Sequence, residues 1–287
     1  MELNRRRAVQ LGTAATLGAV LPGVTNANID PNPDFEAAFE RTLARLKDVF
    51  SDLGFAETQP LSIVTGDDAY NGGLRHDFDQ SALPNEAFVI QPLARVGDIA
   101  EKSRADILPL FHEIGCHLAR GTDGQVATRL MVRILTGNLG LDPARIAFVS
   151  VPQSTDMRPV LDEMGLPFPE KVLLRDDVEA LAARDASGYF FPDRFGEDYL
   201  VTMGVYYRAG ETDEPAPATY PPSPNWTEIG EIVIAGEVAP LGISIGAERL
   251  TFALTGQYPT WDQRLGLLFS KVEQDGAKPP GLAAFRG

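Results

Sequence analysis

Apolar positions recur along this chain in two rhythms. From 35 to 53, Phe35, Phe39, Leu43, Leu46, Phe50 and Leu53 fall at steps of three and four, the spacing of one helical face. Asp34 precedes them as a plausible cap, and Gly54 closes the segment. A second helix is expected over 125–139, with Val126, Leu130, Ile134 and Leu135 on one face and Gly140-Leu141-Asp142-Pro143 as its stop. Shorter helices are expected at 157–164, 176–184 and 264–269. Short apolar or alternating runs mark strands at 55–64, 87–90, 145–151, 171–174, 199–207 and 226–238. Pro60 makes the first of these an edge or interrupted strand. The stretch 211–224 holds Pro215, Pro217, Pro221, Pro222 and Pro224 and reads as an extended surface loop between two strands. Segment 65–85 reads as loop, and the tail from 274 is rich in Gly and Pro. Two early helices followed by mixed strands and short helices predict an α+β fold with a largely antiparallel sheet flanked by helices.

The most informative stretch runs from Pro240 to Asp262, PLGISIGAERLTFALTGQYPTWD. An apolar strand, Leu241 to Ile245, meets Gly246. A helix follows, with Glu248 and Arg249 in its first turn and Leu250, Ala253 and Leu254 on one face; Thr255-Gly256 ends it. A strand turning on glycine into a helix presents unpaired backbone N–H groups and a positive dipole end. An arginine there adds a fork that keeps its charge. The combination suits phosphate. Taken alone, the same pattern also describes a buried strand and helix with Glu248 and Arg249 in solvent.

Composition narrows the partners. The chain has 287 residues, 44% of them hydrophobic, and a formal net charge of −15. That charge argues against a surface devoted to nucleic acid or anionic lipid, while leaving room for a local basic pocket. Cys116 is the one cysteine, which excludes an internal disulfide and a four-thiolate metal site. Residues 1–29 differ from the rest. Arg5-Arg6-Arg7 precede an uncharged run from Ala8 to Ile29 that ends near small residues, the pattern of a signal peptide of the twin-arginine type. A disordered extension is the alternative. The run is too short and too weakly apolar for a membrane span. Residues 30–287 then form the working domain. Its location is periplasmic if the signal operates and cytoplasmic otherwise.

His112-Glu113-Ile114-Gly115-Cys116-His117 invites a metal reading, with His112, Glu113 and His117 as ligands. A metallopeptidase helix needs its histidines four apart; these are five apart, and Gly115 weakens a helix. A core strand with alternating faces is the simpler expectation.

Three separated stretches resemble one family. Ile90-Gln91-Pro92, Arg95 and Asp98-Ile99, then Phe111 and Ile114-Gly115-Cys116-His117, look like the second signature region of alanyl-tRNA synthetases. Pro240 to Asp262 is similar to their third signature. The helix ending Phe50-Ser51-Asp52-Leu53-Gly54-Phe55 resembles the lead-in to their first. The resemblance implies a class II synthetase catalytic core using ATP and Mg²⁺ to join an amino-acid carboxylate to the α-phosphate as an acyl-adenylate. It implies that Arg249 and Gly246 bind the nucleotide, that Arg95 or Arg104 holds phosphate, and that Glu113 contacts nucleotide or metal. Arg249, Arg95 and Glu113 are then the catalytic candidates, and Phe190, Glu228, Glu231 and Gly242 belong to the substrate pocket.

Departures from the family's pattern limit what is carried over. The aspartate that holds the substrate ammonium is Gly242 here, and the α-phosphate arginine aligns with Asp106, with Arg104 nearby. Glu231 replaces an asparagine and offers a carboxylate to an ammonium. The chain stops soon after the third signature, so full-length tRNA is not expected as a partner. The expected ligand is a small carboxylate, such as an amino acid other than alanine, with a non-tRNA acceptor; homodimerisation stays open. The alternative is a catalytically retired descendant that binds a small ligand or partner, in keeping with export.

Overall fold

The computed structural model describes residues 35–63, 86–95, 107–118, 122–168, 170–183, 187–190, 199–208, 210, 213–235 and 242–274. The expectations for residues 1–29, the 65–85 loop, Arg104, Asp106 and the tail beyond 274 lie outside them. Six helices are described: α1 (Phe35–Asp52), α2 (Gly124–Val132), α3 (Arg158–Glu163), α4 (Asp177–Ala183), α5 (Ala247–Thr255) and α6 (Trp261–Gln274). Nine strands accompany them: β1 (Ala56–Thr58), β2 (Ala87–Ala94), β3 (Leu110–His117), β4 (Ile146–Ser150), β5 (Val172–Leu174), β6 (Tyr189–Phe190), β7 (Leu200–Arg208), β8 (Trp226–Ala235) and β9 (Gly242–Gly246).

The strands form one sheet in the order β1-β2-β3-β9-β8-β7-β4-β5, with β6 added to β7. Only β1–β2 and β4–β5 are parallel; every other described pairing is antiparallel. The fold is therefore α+β with a mostly antiparallel sheet flanked by helices, as expected from the alternation of patterns.

Strand periodicity divides the sheet into two chemically different faces. Ile114 and Cys116 of β3, Ile243 and Ile245 of β9, Ile229 and Ile232 of β8, and Met203 and Val205 of β7 enter the main core. That core is completed by Leu46 and Phe50 of α1, Ala127 and Met131 of α2, and Ala247 and Leu250 of α5. The other face carries the intervening residues, among them Phe111, Glu113, Ser244, Gly246, Glu231, Gly204 and Tyr206. Toward β4 this second face is apolar again: Ala147, Val149, Tyr206 and Trp226 cluster with Leu173 and Ala216.

Ala216 belongs to the proline-rich segment, which is tied to the sheet rather than loose. Trp226 donates its indole N–H to the Pro215 carbonyl at 3.2 Å, and Asn225 donates to the Glu214 carboxylate at 2.7 Å. Proline-rich backbone has few donors of its own, so side chains of β8 and its approach supply them.

Several elements differ in extent from the expectation. The helix expected over 125–139 is α-helical only to Val132 and continues as a π-helical turn, Arg133–Asn138. Its end is marked by Leu139 N–H donating to the Ile134 carbonyl, five residues back. The expected helix at 157–164 begins as a 3₁₀ turn, Pro152–Met157. The last helix is longer than 264–269, because Leu268 and Val272 of α6 bury against Ile63, Ala94 and Leu110. Strand β2 runs on through Pro92, which pairs opposite His112. Pro92 lies beyond the Ala56–Thr58 pairing with β1, so its missing N–H breaks no ladder on that side. Gln91, the residue before Pro92, binds the Leu61 backbone through its side chain, accepting from N–H at 2.8 Å and donating to C=O at 2.9 Å.

Candidate functional site

The polar face of the sheet bears a cleft of about 700 Å³, open mouth included, lined by Arg95, Phe111, Glu113, Glu228, Gly230, Glu231, Ser244, Gly246, Glu248 and Arg249 together with Ile107, Leu108 and Ile229. Its floor follows from the strand register. Gly115 pairs with Ser244, Ser244 with Glu231, and Glu231 with Gly204. Glu231 thus stands between two residues with little or no side chain, Ser244 and Gly204, and it lines the cleft together with Ser244.

Two guanidinium groups reach the cleft from different elements. Arg95 follows β2, and its guanidinium lies over the Phe111 ring, 4.9 Å from the centroid. Arg249 stands in the first turn of α5, beside the Gly246 turn, and donates to the Glu228 carbonyl at 3.3 Å and carboxylate at 3.4 Å. At that distance, with both side chains partly exposed, the pair is weak and solvent-screened.

Glu248, the residue before Arg249, does not lie in solvent. It is 2% exposed and accepts two hydrogen bonds from His112, from the backbone N–H and from Nδ1, each at 2.8 Å. The carboxylate thereby staples the start of α5 to β3 one residue beyond the end of β9, whose last pairing is Gly246 with Glu113, and it takes the place of a strand acceptor for the His112 N–H. Phe39 of α1 packs against the His112 ring with centroids 5.3 Å apart.

The carboxylates in the cleft are electrostatically crowded. Burial raises the Glu113 carboxyl above its ordinary value, against the Ser244 hydrogen bond and Arg95, and Glu228 adds to the rise. Glu231 is pushed up to about 7, first by burial and then by Glu228, against hydrogen bonds from Thr202 and the Ser187 backbone. Burial, with Glu228 beside it, also drives the Tyr206 hydroxyl upward, so it stays a neutral donor. Withdrawing a carboxylate from water disfavours its charge, and a second carboxylate disfavours it further.

The cleft brings together Arg95, Glu113, Glu228, Glu231, Gly246 and Arg249. The other described candidates lie elsewhere. Phe190 sits on β6, paired with Leu200, outside the lining. Gly242 pairs with His117 at the start of β9. A Cβ added there would overlap the Cys116 carbonyl oxygen, so no side chain fits without moving a strand.

The metal candidates are divided by the strand: alternation on β3 puts His112 on the opposite face from Glu113 and His117. His112 is engaged by Glu248, and burial lowers the His117 pKa so that the ring favours its neutral form. Among the described residues no group of three or more His, Cys, Asp or Glu forms a metal-holding arrangement. Cys116 is buried, and desolvation raises its pKa far out of the nucleophilic range.

Sequence reasoning missed Ser187 and Tyr206, which sit behind the carboxylates. Ser187 donates its hydroxyl to Glu228 at 2.8 Å and its backbone N–H to Glu231 at 3.2 Å, and its hydroxyl also meets the Tyr206 hydroxyl at 2.9 Å. Its only signal was a Ser-Gly pair before an aromatic cluster, which reads as an ordinary turn.

No family model matches the chain, and no curated protein sequence does. Among solved structures, the chain is similar to apo histidyl-tRNA synthetase from Staphylococcus aureus (12% identity, TM-score 0.46, covering 82% of this chain and 70% of that one). It is similar to Pyrococcus horikoshii asparaginyl-tRNA synthetase complexed with asparaginyl-adenylate (15%, TM-score 0.41, 80% and 67%). It is also similar to Entamoeba histolytica aspartyl-tRNA synthetase (11%, TM-score 0.42, 80% and 57%), so it spans little more than half of that chain. Among the described residues no helix is long and apolar enough to cross a membrane.

Proposed function

We propose that the cleft binds ATP and activates the carboxylate of an amino acid, which then passes to an acceptor other than full-length tRNA. The observation that carries this reading is the convergence of Arg95 and Arg249, far apart in sequence and each within a signature-like stretch, on one cleft whose floor bears carboxylates. In the reaction a substrate carboxylate oxygen bonds to the α-phosphorus, the bond from that phosphorus to the bridging oxygen breaks, and pyrophosphate leaves. Negative charge accumulates on phosphate oxygens throughout. Arg95 and Arg249 supply fixed positive charge there, in a site whose walls reduce screening. The Phe111 ring beneath Arg95 gives an apolar surface for a planar base.

Magnesium fits this donor set as a phosphate-bound ion. One or two carboxylates are what Mg²⁺ usually takes from a protein beside nucleotide oxygens, and Glu113 faces the cleft from β3. Bound there, Mg²⁺ would contribute further charge neutralisation at phosphate.

ATP–pyrophosphate exchange measured across the amino acids tests the reading. Exchange with a subset supports it; no exchange with any, and no stabilisation by ATP with Mg²⁺, ends it. The second reading is a retired, ligand-binding descendant, for which the closed Gly242 position speaks. The signal-like residues 1–29 favour it too, since export would separate the protein from ATP. It predicts stabilisation by an amino acid alone. Sequencing the mature N-terminus decides whether residues 1–29 are removed.

A further inference from the structure

We propose that Ser187 is a positioning residue for the substrate end of the cleft: by bonding Glu228 and Glu231 together it holds two carboxylates in place to read a cationic group on the ligand. The inference rests on the cleft being a substrate site.

Ser187 is 1% exposed and does not line the cleft, so it acts through its neighbours. Its φ is +63°, a left-handed conformation that a residue with a Cβ adopts at a cost. The turn is held there from three directions. Its N–H and O–H go to Glu231 and Glu228, its hydroxyl also meets Tyr206, and Arg175 donates to its carbonyl at 3.3 Å. Arg175 is itself buried beneath Tyr220 of the proline-rich segment, 3.7 Å from the ring centroid. Gly204 makes the approach feasible: a Cβ there would overlap the Ser187 hydroxyl and crowd the Glu228 carboxylate.

Two glutamates on one strand, without a fixed donor between them, would rotate apart under mutual repulsion. One residue donating to both removes that freedom; the other Glu228 oxygen meets Arg249 at 3.4 Å, and both glutamates line the cleft. Glu113 on β3, Arg95 after β2, Glu248 and Arg249 on α5, Tyr206 on β7 and Arg175 behind the turn complete the charged and titratable surroundings among the described residues. With phosphates on the two arginines, the carboxylates are the groups left to meet a cation. The raised pKa of Glu231 fits a group that a bound cation would ionise.

The test compares Ser187→Ala and Ser187→Gly in the full chain. Both lose the hydroxyl, and only Gly relieves the backbone. Three readouts are taken: NMR titration of ¹³C-labelled glutamate carboxyls, calorimetric binding of lysine, ornithine and arginine against alanine, and ATP–Mg²⁺ binding. The expected result is tighter binding of the cationic amino acids than of alanine by the native protein. Both variants should lose that affinity by about tenfold while retaining ATP binding. The Glu231 titration, near 7 in the native protein, should move to higher pH in both, because the turn that delivers the Ser187 N–H has loosened. Unchanged titration and affinity overturn the proposal. So does full recovery by Ser187→Gly, which would make the backbone strain and not the hydroxyl responsible. Native ATP binding without any preference for cationic amino acids refutes this inference and spares the proposed function. A preference for them without ATP binding does the reverse.

Discussion

Glu248 and His112 are joined twice, one carboxylate oxygen on the backbone N–H and the other on Nδ1, both at 2.8 Å. This pair, remote in sequence, sets where α5 begins relative to β3, and therefore where Arg249 stands. Replacing Glu248 with Ala leaves a β3 N–H without its acceptor inside the protein. The expected cost is about 3 kcal/mol, read by urea unfolding. His112→Ala should cost less, because the backbone bond survives and the ring is partly exposed. Equal losses in the two variants would show that the ring, not the staple, carries the stability.

Arg249→Ala separates binding from folding. Its bond to Glu228 is long and partly exposed, so unfolding free energy should change by less than about 1 kcal/mol. Stabilisation by ATP with Mg²⁺, in contrast, should fall to near nothing in a thermal-shift series. Retained nucleotide stabilisation would place the phosphates away from α5.

The pH dependence of stability has a definite sign at Glu231. Its carboxyl is raised from an ordinary 4.5 to about 7 in the folded protein. Between those values the native state binds a proton that the unfolded chain releases, so the group's contribution grows as pH falls from 7 toward 4.5 and is lost as pH rises through 7. The full span is on the order of 3 kcal/mol. Glu113, also raised, acts in the same direction. His117, lowered from 6.5, acts oppositely: below 6.5 the unfolded chain takes up the proton more readily. The measurement is therefore the difference between the native protein and Glu231→Gln in melts from pH 5 to 8. The variant should be the more stable at pH 8, and the advantage should vanish toward pH 5. A pH-independent difference would refute the assignment.

Glycine substitutions distinguish contact from conformation. Gly204→Ala drives a methyl into the Ser187 hydroxyl and the Glu228 carboxylate, so it should disturb the turn, lowering stability by about 2–3 kcal/mol. Gly54→Ala meets nothing within 4 Å but forces a side chain onto φ +91°, for about 1 kcal/mol. If both cost the same, the Ser187 turn is more yielding than its hydrogen bonds imply.

Where local chemistry and tertiary structure agree, the elements could be read from the chain. Helix α1, the strand–Gly246–helix unit of β9 and α5, and the alternation of β8 are examples, because each residue's own pattern states which side is buried. Arg249, Arg95 and Glu113 stand in stretches that resemble a family's signatures and Glu231 where that pattern has an asparagine, and all four line the cleft. Other features depend on pairing across the sheet and left no local mark. Glu248 looks like an exposed acid in a first helical turn until β3 is laid beside it. Ser187 is a turn residue until Gly204 lets it in. Strand β2 runs to Ala94, past the expected 87–90, because Pro92, which reads as a breaker, lies where β1 has already ended and no partner needs its N–H. Helix α2 becomes a π turn at Arg133 with no glycine or proline at that point to announce it.

Ser244 and Glu231 lie side by side in the cleft floor, while Ser187 fills the space over Gly204. A larger side chain at Ser244 subtracts volume from the cleft; a shorter neutral one at Glu231 adds volume and removes a carboxylate together. Size and charge are therefore coupled at Glu231, and a lineage or a designer seeking room for a bulkier neutral ligand gains both by changing that one position.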